Sequence, residues 1–155
     1  VKPFKVALEE DKRWQRCHIK STSLLGNVMH FQAGVDSGVQ ETILHNSDGI
    51  ITEASSCNVF MVKDNAIFTP PLDNQLLPGI TRQIALEAFK RAGLAVEEKW
   101  FTKEDLFNAD EVWLTSSSKE IAPVIEVDGK TIGSGEVGPM WEKAIKAYHN
   151  YKFEA

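Results

Sequence analysis

The chain has 155 residues, 43% of them hydrophobic and 25% charged, a composition typical of one globular domain with its own core. Its net charge of −5 and its scattered Lys and Arg residues argue against nucleic-acid binding. No apolar run approaches the roughly 20 residues of a membrane helix, and no charged-then-apolar leader opens the chain. Cys17 and Cys57 form neither a metal-ligand spacing nor a disulfide framework, so we expect a reducing cytoplasm.

The first half of the chain reads as a strand, a helix and two hairpins. A strand is predicted over residues 12–19 and a helix with apolar residues at helical spacing over 21–32. Two β-favouring pairs follow, each around a short polar turn, at 40–45 with 50–53 and at 59–62 with 66–69. Pro70 and Pro71 close the second hairpin, because proline cannot donate to a sheet ladder.

The second half alternates helices with strands. A helix is predicted over 80–92, with Gly93 as its stop, and a short helix after the capping residue Thr102. The buried face of the first of these helices is predicted to contain Ile80, Ile84, Ala88 and Phe89. Strands are predicted over 96–101, 112–115 and 124–127, with a turn at 128–129, and a last helix over 136–151. Its buried stripe is predicted to be Val137, Met140, Trp141, Ala144, Ile145 and Tyr148. Hairpins mixed with helices indicate a mixed α/β domain rather than a parallel βαβ array.

Several polar features could carry chemistry, and each also has an ordinary structural explanation. Lys20, where a predicted strand meets a helix, is a solvated residue or a partly buried amine suited to forming a Schiff base. Glu53, after a hairpin strand, is an exposed loop residue or a carboxylate that keeps a ring nitrogen protonated. Gly79 and Thr81 open a helix, whose N-terminus is an anion site or a plain cap. The hydroxyl run 115–118 is a second donor cluster or a plain turn.

The other reactive residue types predict no site. The histidines lack ligand spacing, so we expect no metal; they are His18, His30, His45 and His149. Cys57 has no histidine motif that would make it a nucleophile. Nucleophile elbows, Walker loops and dinucleotide-binding glycine turns are also missing from the sequence.

The order of four motifs is more specific than any one of them. They are RWQRCHIKS at 13–21, EASSCNVF at 53–60, LPGITR at 77–82 and TSSSKEIAPV at 115–124. This series resembles the class IV (fold type IV) aminotransferases, which use pyridoxal 5′-phosphate (PLP), and most closely the bacterial D-amino acid aminotransferases. The resemblance covers nearly the whole chain.

The resemblance implies a fold, a cofactor and a set of site residues. The fold is the larger, C-terminal domain of these enzymes, a mixed α/β pseudo-barrel of strands with flanking helices. Lys20 matches the Schiff-base lysine, which also moves the proton between substrate Cα and cofactor, and Glu53 matches the carboxylate that pairs with the pyridine nitrogen. The remaining matches are Leu77 against the ring, Ser56 in the loop behind it, and Gly79, Ile80, Thr81, Ser116 and Ser117 around the phosphate.

The sequence departs from the family pattern in two ways, which limit what the resemblance implies about the site. Gln40 stands where many relatives have an aromatic residue, so the surroundings of the cofactor's phenolic oxygen differ. No part of the chain matches the smaller N-terminal domain, which in relatives holds the substrate carboxylate. Because Val1 also begins the chain without Met, we expect residues 1–155 to be the PLP-binding domain of a longer protein and to be inactive alone.

The function implied is transamination between an amino acid, D-alanine being the expected example, and a 2-oxo acid. The full-length protein is expected to be a homodimer, with small molecules as its substrates and neither nucleic acid nor membrane as a partner. Within the family, a branched-chain aminotransferase or an aminodeoxychorismate lyase stays open. A non-catalytic domain that binds PLP or a protein partner is the alternative from a different class.

Overall fold

The computed structural model describes residues 3–10, 41–54, 57–71, 79–116 and 120–154, which form nine strands and three helices. The strands are β1 (Phe4–Glu10), β2 (Glu41–His45), β3 (Ile51–Ala54), β4 (Asn58–Lys63), β5 (Ala66–Thr69), β6 (Val96–Glu98), β7 (Glu111–Ser116), β8 (Glu120–Val127) and β9 (Lys130–Thr131), and the helices are α1 (Ile80–Arg91), α2 (Lys103–Phe107) and α3 (Pro139–Glu154). The strand predicted over 12–19 and the helix predicted over 21–32 lie outside the described residues. Within the described ranges, no helix is long and apolar enough to cross a membrane.

Both predicted hairpins are confirmed. β2 pairs antiparallel with β3, and β4 pairs antiparallel with β5. The turn between β4 and β5 consists of Asp64 and Asn65, whose φ angles are 51° and 63°. Left-handed backbone at both turn positions matches the right-handed twist of the flanking strands, and Asp and Asn tolerate it better than most side chains do.

The strands form one mixed sheet that curls so that its two edges approach each other. Its order is β3-β2-β1-β8-β7-β4-β5-β6, with β9 on β8. β1 pairs parallel with both β2 and β8, whereas most of the other pairs are antiparallel. At the two edges, Ile51 N donates to Phe101 O at 2.9 Å, and Ile50 forms a bridge with Thr102. The β3 edge therefore meets the segment after β6, and the predicted pseudo-barrel with flanking helices is confirmed.

Two hydrophobic clusters lie on opposite faces of this sheet. The interior of the barrel is filled mainly by aliphatic side chains of the strands, such as Val59 and Leu114. The outer face packs against α1 and α3 through aromatic residues, including Phe60, Phe89 and Trp113. Their rings meet edge to face at 5.9 and 6.0 Å, a favoured geometry for aromatic pairs. Successive strand residues alternate between the two clusters, as a strand between two cores requires.

The buried face of α1 differs in one position from the prediction. Ala88 and Phe89 are buried as predicted, but Ile80 is 75% exposed. Thr81 and Arg82 are buried at 5% and 1% exposure. The face of α1 that packs on the sheet therefore begins at Thr81 instead of Ile80. In the first turn, the polar residues Thr81 and Arg82 are buried where an apolar residue was predicted.

Three predicted boundaries are also wrong, for reasons of pairing and backbone chemistry. β8 begins at Glu120 instead of 124, because its first residues pair with the second half of β7 up to Ser116. β6 ends at Glu98 instead of continuing to 101, because Glu98 pairs with Thr69 at the end of β5 and Pro70 and Pro71 follow there without N–H donors. α3 begins at Pro139 instead of 136, and the fixed φ of proline suits the first helical position.

Candidate functional site

Polar residues gather where several strands begin or end at one end of the barrel. β2 starts at Glu41 opposite the end of β3, where Ile43 pairs with Ala54. Ala54 N donates to Cys57 O at 2.7 Å, so the end of β3 leads directly into the start of β4. Asn58, the first residue of β4, pairs with Thr115 near the end of β7. We call this end of the barrel the polar end; its described members are Glu41, Glu53, Cys57, Asn58, Thr115 and Ser116.

Two carboxylates at the polar end are buried. Glu53 is 3% exposed and Glu41 is fully buried. Glu41 Oε1 accepts a hydrogen bond from Thr42 N at 3.0 Å, and its Oε2 accepts one from Cys57 Sγ at 3.5 Å. Glutamate is seldom buried unless its carboxylate is paired or hydrogen-bonded, so two buried glutamates at one end of the barrel indicate a candidate functional site.

The N-terminus of α1 lies against the same end. Gly79 is its N-cap residue, and a Cβ added there would collide with Asn58 Oδ1. The φ of Gly79 is −75°, which any residue adopts, so the close approach to Asn58 is the feature that requires glycine. This contact brings Gly79, Ile80 and Thr81 next to β4 and, through the Asn58–Thr115 pair, next to the end of β7.

The three helices differ in how their N-terminal N–H groups are satisfied. α2 has a capping box between Thr102 and Asp105, with acidic residues in its first turn. At α3, the buried carboxylate of Glu111 accepts from Met140 N at 3.0 Å and from Trp141 N at 2.9 Å. α1 has neither a side-chain cap nor an acidic residue in its first turn. Among the described helices, α1 alone presents its positive end without a carboxylate, which suits an external anion.

An unpartnered hydroxyl lies beside this helix start. Thr115 is 2% exposed, and its Oγ1 has no hydrogen-bond partner among the described residues. Thr115 lies on the helix-facing side of β7, as Trp113 two residues earlier does. A buried hydroxyl without a partner costs about 1–3 kcal/mol, so such atoms point to a group that binds there.

Arg82 holds the first turn of α1 in place. Its guanidinium is buried, and Nη2 donates to Pro70 O at 2.9 Å and to Glu98 Oε1 at 2.7 Å. These bonds tie the helix start to the ends of β5 and β6. Arg82 therefore anchors the helix start, while its buried Nε has no hydrogen-bond partner among the described residues.

The last polar strand end belongs to the β7–β8 hairpin. Ser116 is half-buried at the end of β7, and it pairs with Glu120 at the start of β8. Glu120 accepts from His149 and Lys152 of α3. The hydrogen bond from His149, followed by the contribution of Lys152, holds the pKa of Glu120 below its ordinary value, although burial acts in the opposite direction.

The structure brings together those predicted site residues that it describes. Glu53 and Ser116 belong to the polar end, and Gly79, Ile80 and Thr81 lie at the helix start beside it. The predicted residues Lys20, Ser56, Leu77 and Ser117 lie outside the described residues.

Sequence reasoning missed three polar residues at or beside this end, Asn58, Arg82 and Glu41. Asn58 and Arg82 stand inside the motifs that were singled out, but nothing in the sequence showed their contacts, whereas Thr115 belonged to the predicted hydroxyl cluster. Glu41 had a signal of its own, since it is a carboxylate directly before the β-favouring run of β2. The arrangement as a whole offers an anion site at α1 and buried carboxylates at the neighbouring strand ends.

Comparison with known proteins by sequence and by structure finds aminotransferases in each case. A family model described as Amino-transferase class IV matches residues 4–127. The D-alanine aminotransferase of Bacillus licheniformis is 45% identical over 141 residues, which are 91% of this chain and 50% of the relative. The chain spans about half the length of the curated relatives it matches.

Solved structures with the same fold include two branched-chain amino acid aminotransferases. The Escherichia coli enzyme has a TM-score of 0.87 and 31% identity, over 95% of this chain and 50% of its own. The T.th. enzyme with pyridoxamine 5′-phosphate has a TM-score of 0.79 and 27% identity, over 94% of this chain and 50% of its own.

Proposed function

The chain belongs to the class IV aminotransferases, and from that premise we propose that it is the PLP-binding half of a transaminase. The whole protein would exchange an amino group between an amino acid and a 2-oxo acid. The half-length match to relatives supports a second, smaller domain in the whole protein. That domain would complete the substrate site, and we further propose that the whole protein is a cytoplasmic homodimer.

The observation that carries this proposal is the fit of the α1 start to a phosphate group. Its N–H groups lack a carboxylate cap, and the Oγ1 of Thr115 is buried without a partner nearby. A phosphate supplies the acceptors that both require, because its oxygens accept from backbone N–H groups and from hydroxyls. Thr81, Ser116 and Ser117 would add further hydroxyl donors, and Gly79 allows the close approach of helix and strand.

The buried carboxylate of Glu53 suits the other end of the cofactor. PLP, when bound, accepts into its ring the electron pair left as the substrate Cα loses its proton. Glu53 would hold a proton on the ring nitrogen, because a nearby carboxylate favours the charged form of a base. Leu77 would pack against the ring, and Ser56 would order the loop behind it.

Lys20 would bind the cofactor covalently and move the proton. The Lys20 amine would hold and move a proton at the substrate Cα, and one such positioned base accelerates a reaction by roughly 10²–10⁴-fold. Hydrogen bonds between the start of α1 and the phosphate would keep the cofactor in place while Lys20 is detached from it. Water would be excluded only once the rest of the site covers the ring, so we expect the chain alone to be inactive or nearly so.

The substrate proposed for the whole protein is a D-amino acid such as D-alanine. Its support is the 39–45% identity to several D-alanine aminotransferases. A branched-chain substrate is the second candidate, because branched-chain amino acid aminotransferases share this fold closely. Assays of the whole protein with D-alanine, L-valine and L-leucine as amino donors separate the two. If the whole protein transaminates neither D- nor L-amino acids, the proposed reaction is refuted. That result would favour a domain that only binds PLP or a protein partner.

The cofactor assignment has a direct test on the chain itself. Adding PLP should produce the absorbance band of a lysine-bound cofactor, and borohydride reduction followed by peptide mapping should place the label on Lys20. A label on any other lysine would refute the assignment of Lys20. Glu53→Gln is expected to shift the absorbance of the bound cofactor, because a neutral amide does not keep the ring nitrogen protonated. An unchanged spectrum would rule out the role given to Glu53.

A further inference from the structure

Two glycines that each precede a helix lie against the side chain of a strand residue. Gly138 stands directly before α3, and a Cβ added to it would collide with the carboxylate of Glu111, the first residue of β7. Gly79 stands directly before α1, and a Cβ added there would collide with the side chain of Asn58, the first residue of β4. The two helix starts are therefore built alike, because in each a glycine lets a polar side chain from the beginning of a strand approach the helix.

The two polar side chains differ in charge. The Glu111 carboxylate accepts hydrogen bonds from Met140 N at 3.0 Å and from Trp141 N at 2.9 Å, so it compensates the positive end of α3. Asn58 has nearly the shape of an aspartate but no charge, and α1 has no acidic residue in its first turn. A neutral amide offsets the partial positive charge of a helix start less than a carboxylate does, so the start of α1 keeps its attraction for an anion.

Asn58 also lies beside the buried hydroxyl of Thr115. The two residues are directly opposite each other in the antiparallel pair of β4 and β7, so their side chains leave the sheet on the same face, with Cβ atoms roughly 5 Å apart. Both side chains are buried, and Thr115 Oγ1 has no hydrogen-bond partner among the residues that the structure describes. Asn58 is therefore adjacent both to an unsatisfied hydroxyl and to the helix start, and a charge at position 58 would act on any ligand that binds to the two.

We propose that Asn58 determines the specificity of the α1 start for a phosphate group, because its uncharged amide occupies the position at which α3 has a carboxylate. This inference rests on the function proposed above, because the phosphate is that of PLP. Asn58 acts through its lack of charge, and no bond between its amide and the phosphate is required. A carboxylate at position 58 should bind the N–H groups of α1 as Glu111 binds those of α3, and it should repel the phosphate.

The test replaces Asn58 by aspartate in the full 155-residue chain and compares PLP with pyridoxal, which lacks the phosphate. Asn58→Asp should weaken PLP binding by at least about tenfold, because like charges in a buried site repel strongly, and change pyridoxal binding less than about twofold. Without ligand, this variant should have a higher urea midpoint, because a carboxylate at a helix N-terminus is stabilising. A purely structural role of Asn58 would not raise stability and lower the affinity for phosphate together.

Two further variants serve as controls. Asn65→Asp adds the same charge in the exposed turn at the other end of β4, and it should leave both affinities unchanged. Asn58→Ala removes the amide without adding a charge, so it should bind PLP within about threefold of the unmodified chain.

The outcomes separate charge from structure. Equal weakening of PLP and pyridoxal by Asn58→Asp, or no weakening of either, would overturn the inference, as would an equal loss of PLP affinity in Asn58→Ala. A lower urea midpoint or a failure of Asn58→Asp to fold would also overturn it, because the start of α1 would then not accept a carboxylate as α3 does.

A separate measurement distinguishes this inference from the proposed function. Failure of the unmodified chain to bind PLP would overturn the proposed function. Inorganic phosphate would then still test the α1 start, because it should protect the unmodified chain against urea and protect Asn58→Asp less. Equal protection of the two chains, or protection of neither, would refute the role of Asn58.

Discussion

Two buried threonines of the sheet differ in whether their hydroxyl groups have a hydrogen-bond partner. Thr69 Oγ1 donates to Val59 O at 2.7 Å, whereas Thr115 Oγ1 has no partner among the described residues. Both side chains are almost fully buried, at 0% and 2% exposure. Valine keeps the β-branch and nearly the same shape while it removes the hydroxyl, so the two substitutions isolate the hydrogen bond.

The expected changes in the free energy of unfolding have opposite signs. Thr69→Val loses a buried hydrogen bond and should destabilise the chain by about 1 kcal/mol. Thr115→Val removes a polar group that is buried without compensation, and it should stabilise the ligand-free chain by about 1 kcal/mol. If Thr115 Oγ1 donates to the cofactor phosphate, the same substitution should weaken PLP binding about fivefold, the equivalent of one such hydrogen bond.

Urea unfolding of both variants without ligand, followed by titration with PLP, measures these quantities. A loss of stability for Thr115→Val equal to that of Thr69→Val would show that the Thr115 hydroxyl has a partner in the folded chain. In that case the unsatisfied hydroxyl would no longer support a phosphate site. Stabilisation together with unchanged PLP affinity would place the phosphate elsewhere.

Three further predictions concern the supports of the site. Gly79→Ala should lower the free energy of unfolding by about 1–2 kcal/mol, because the added Cβ collides with Asn58 Oδ1. In an Asn58→Ala background this loss should be smaller by about 1 kcal/mol. An identical loss in both backgrounds would exclude Asn58 as the obstacle. Glu111→Ala should cost about 3 kcal/mol in urea unfolding, because Met140 N, Trp141 N and Trp113 Nε1 all lose their acceptor, and a loss below about 1 kcal/mol would contradict this. Because the folded chain holds the pKa of Glu120 below its ordinary 4.5, the carboxylate stabilises the fold above that pH, and the contribution is lost as pH falls through the lowered value. The deficit of Glu120→Gln, about 0.5–1 kcal/mol near pH 6, should therefore shrink in acid-titrated unfolding curves as the pH falls below 4.5 and through the lowered pKa, and a deficit that does not change with pH would refute the ion pair as its source.

The two hairpins and the three described helices were predictable because their signals are local. Asp64 and Asn65 tolerate the left-handed turn, Thr102 and Asp105 cap α2, and Gly93 has the positive φ that ends α1. Each of these features depends on neighbours a few residues away. The boundary of β6 was not predictable in this way, because it depends on where its partner β5 stops.

The candidate site was predictable only in part. Glu53, Gly79, Thr81 and Ser116 were found because their motifs occur in the order of a known family, and the structure places them at one end of the barrel. The roles assigned to them, and to Lys20, remain predictions. The motifs did not predict the role of Asn58, because its side chain contacts Gly79, which lies 21 positions later in the sequence.

By itself, the sequence determined most of the described strands and helices, although not β1 or β9, and the motifs that name the family, since periodicity, turn residues and caps act over short distances. Only the tertiary structure decided that the edges of the sheet meet, that α1 alone among the described helices begins without a carboxylate at its N-terminus, and that Glu120 is tethered to α3. These features join residues far apart in the chain, and a carboxylate such as Glu111 looks the same in sequence whether it caps a distant helix or faces water. The physical reason is that pairing, burial and charge compensation depend on which surfaces meet, and only folding brings those surfaces together.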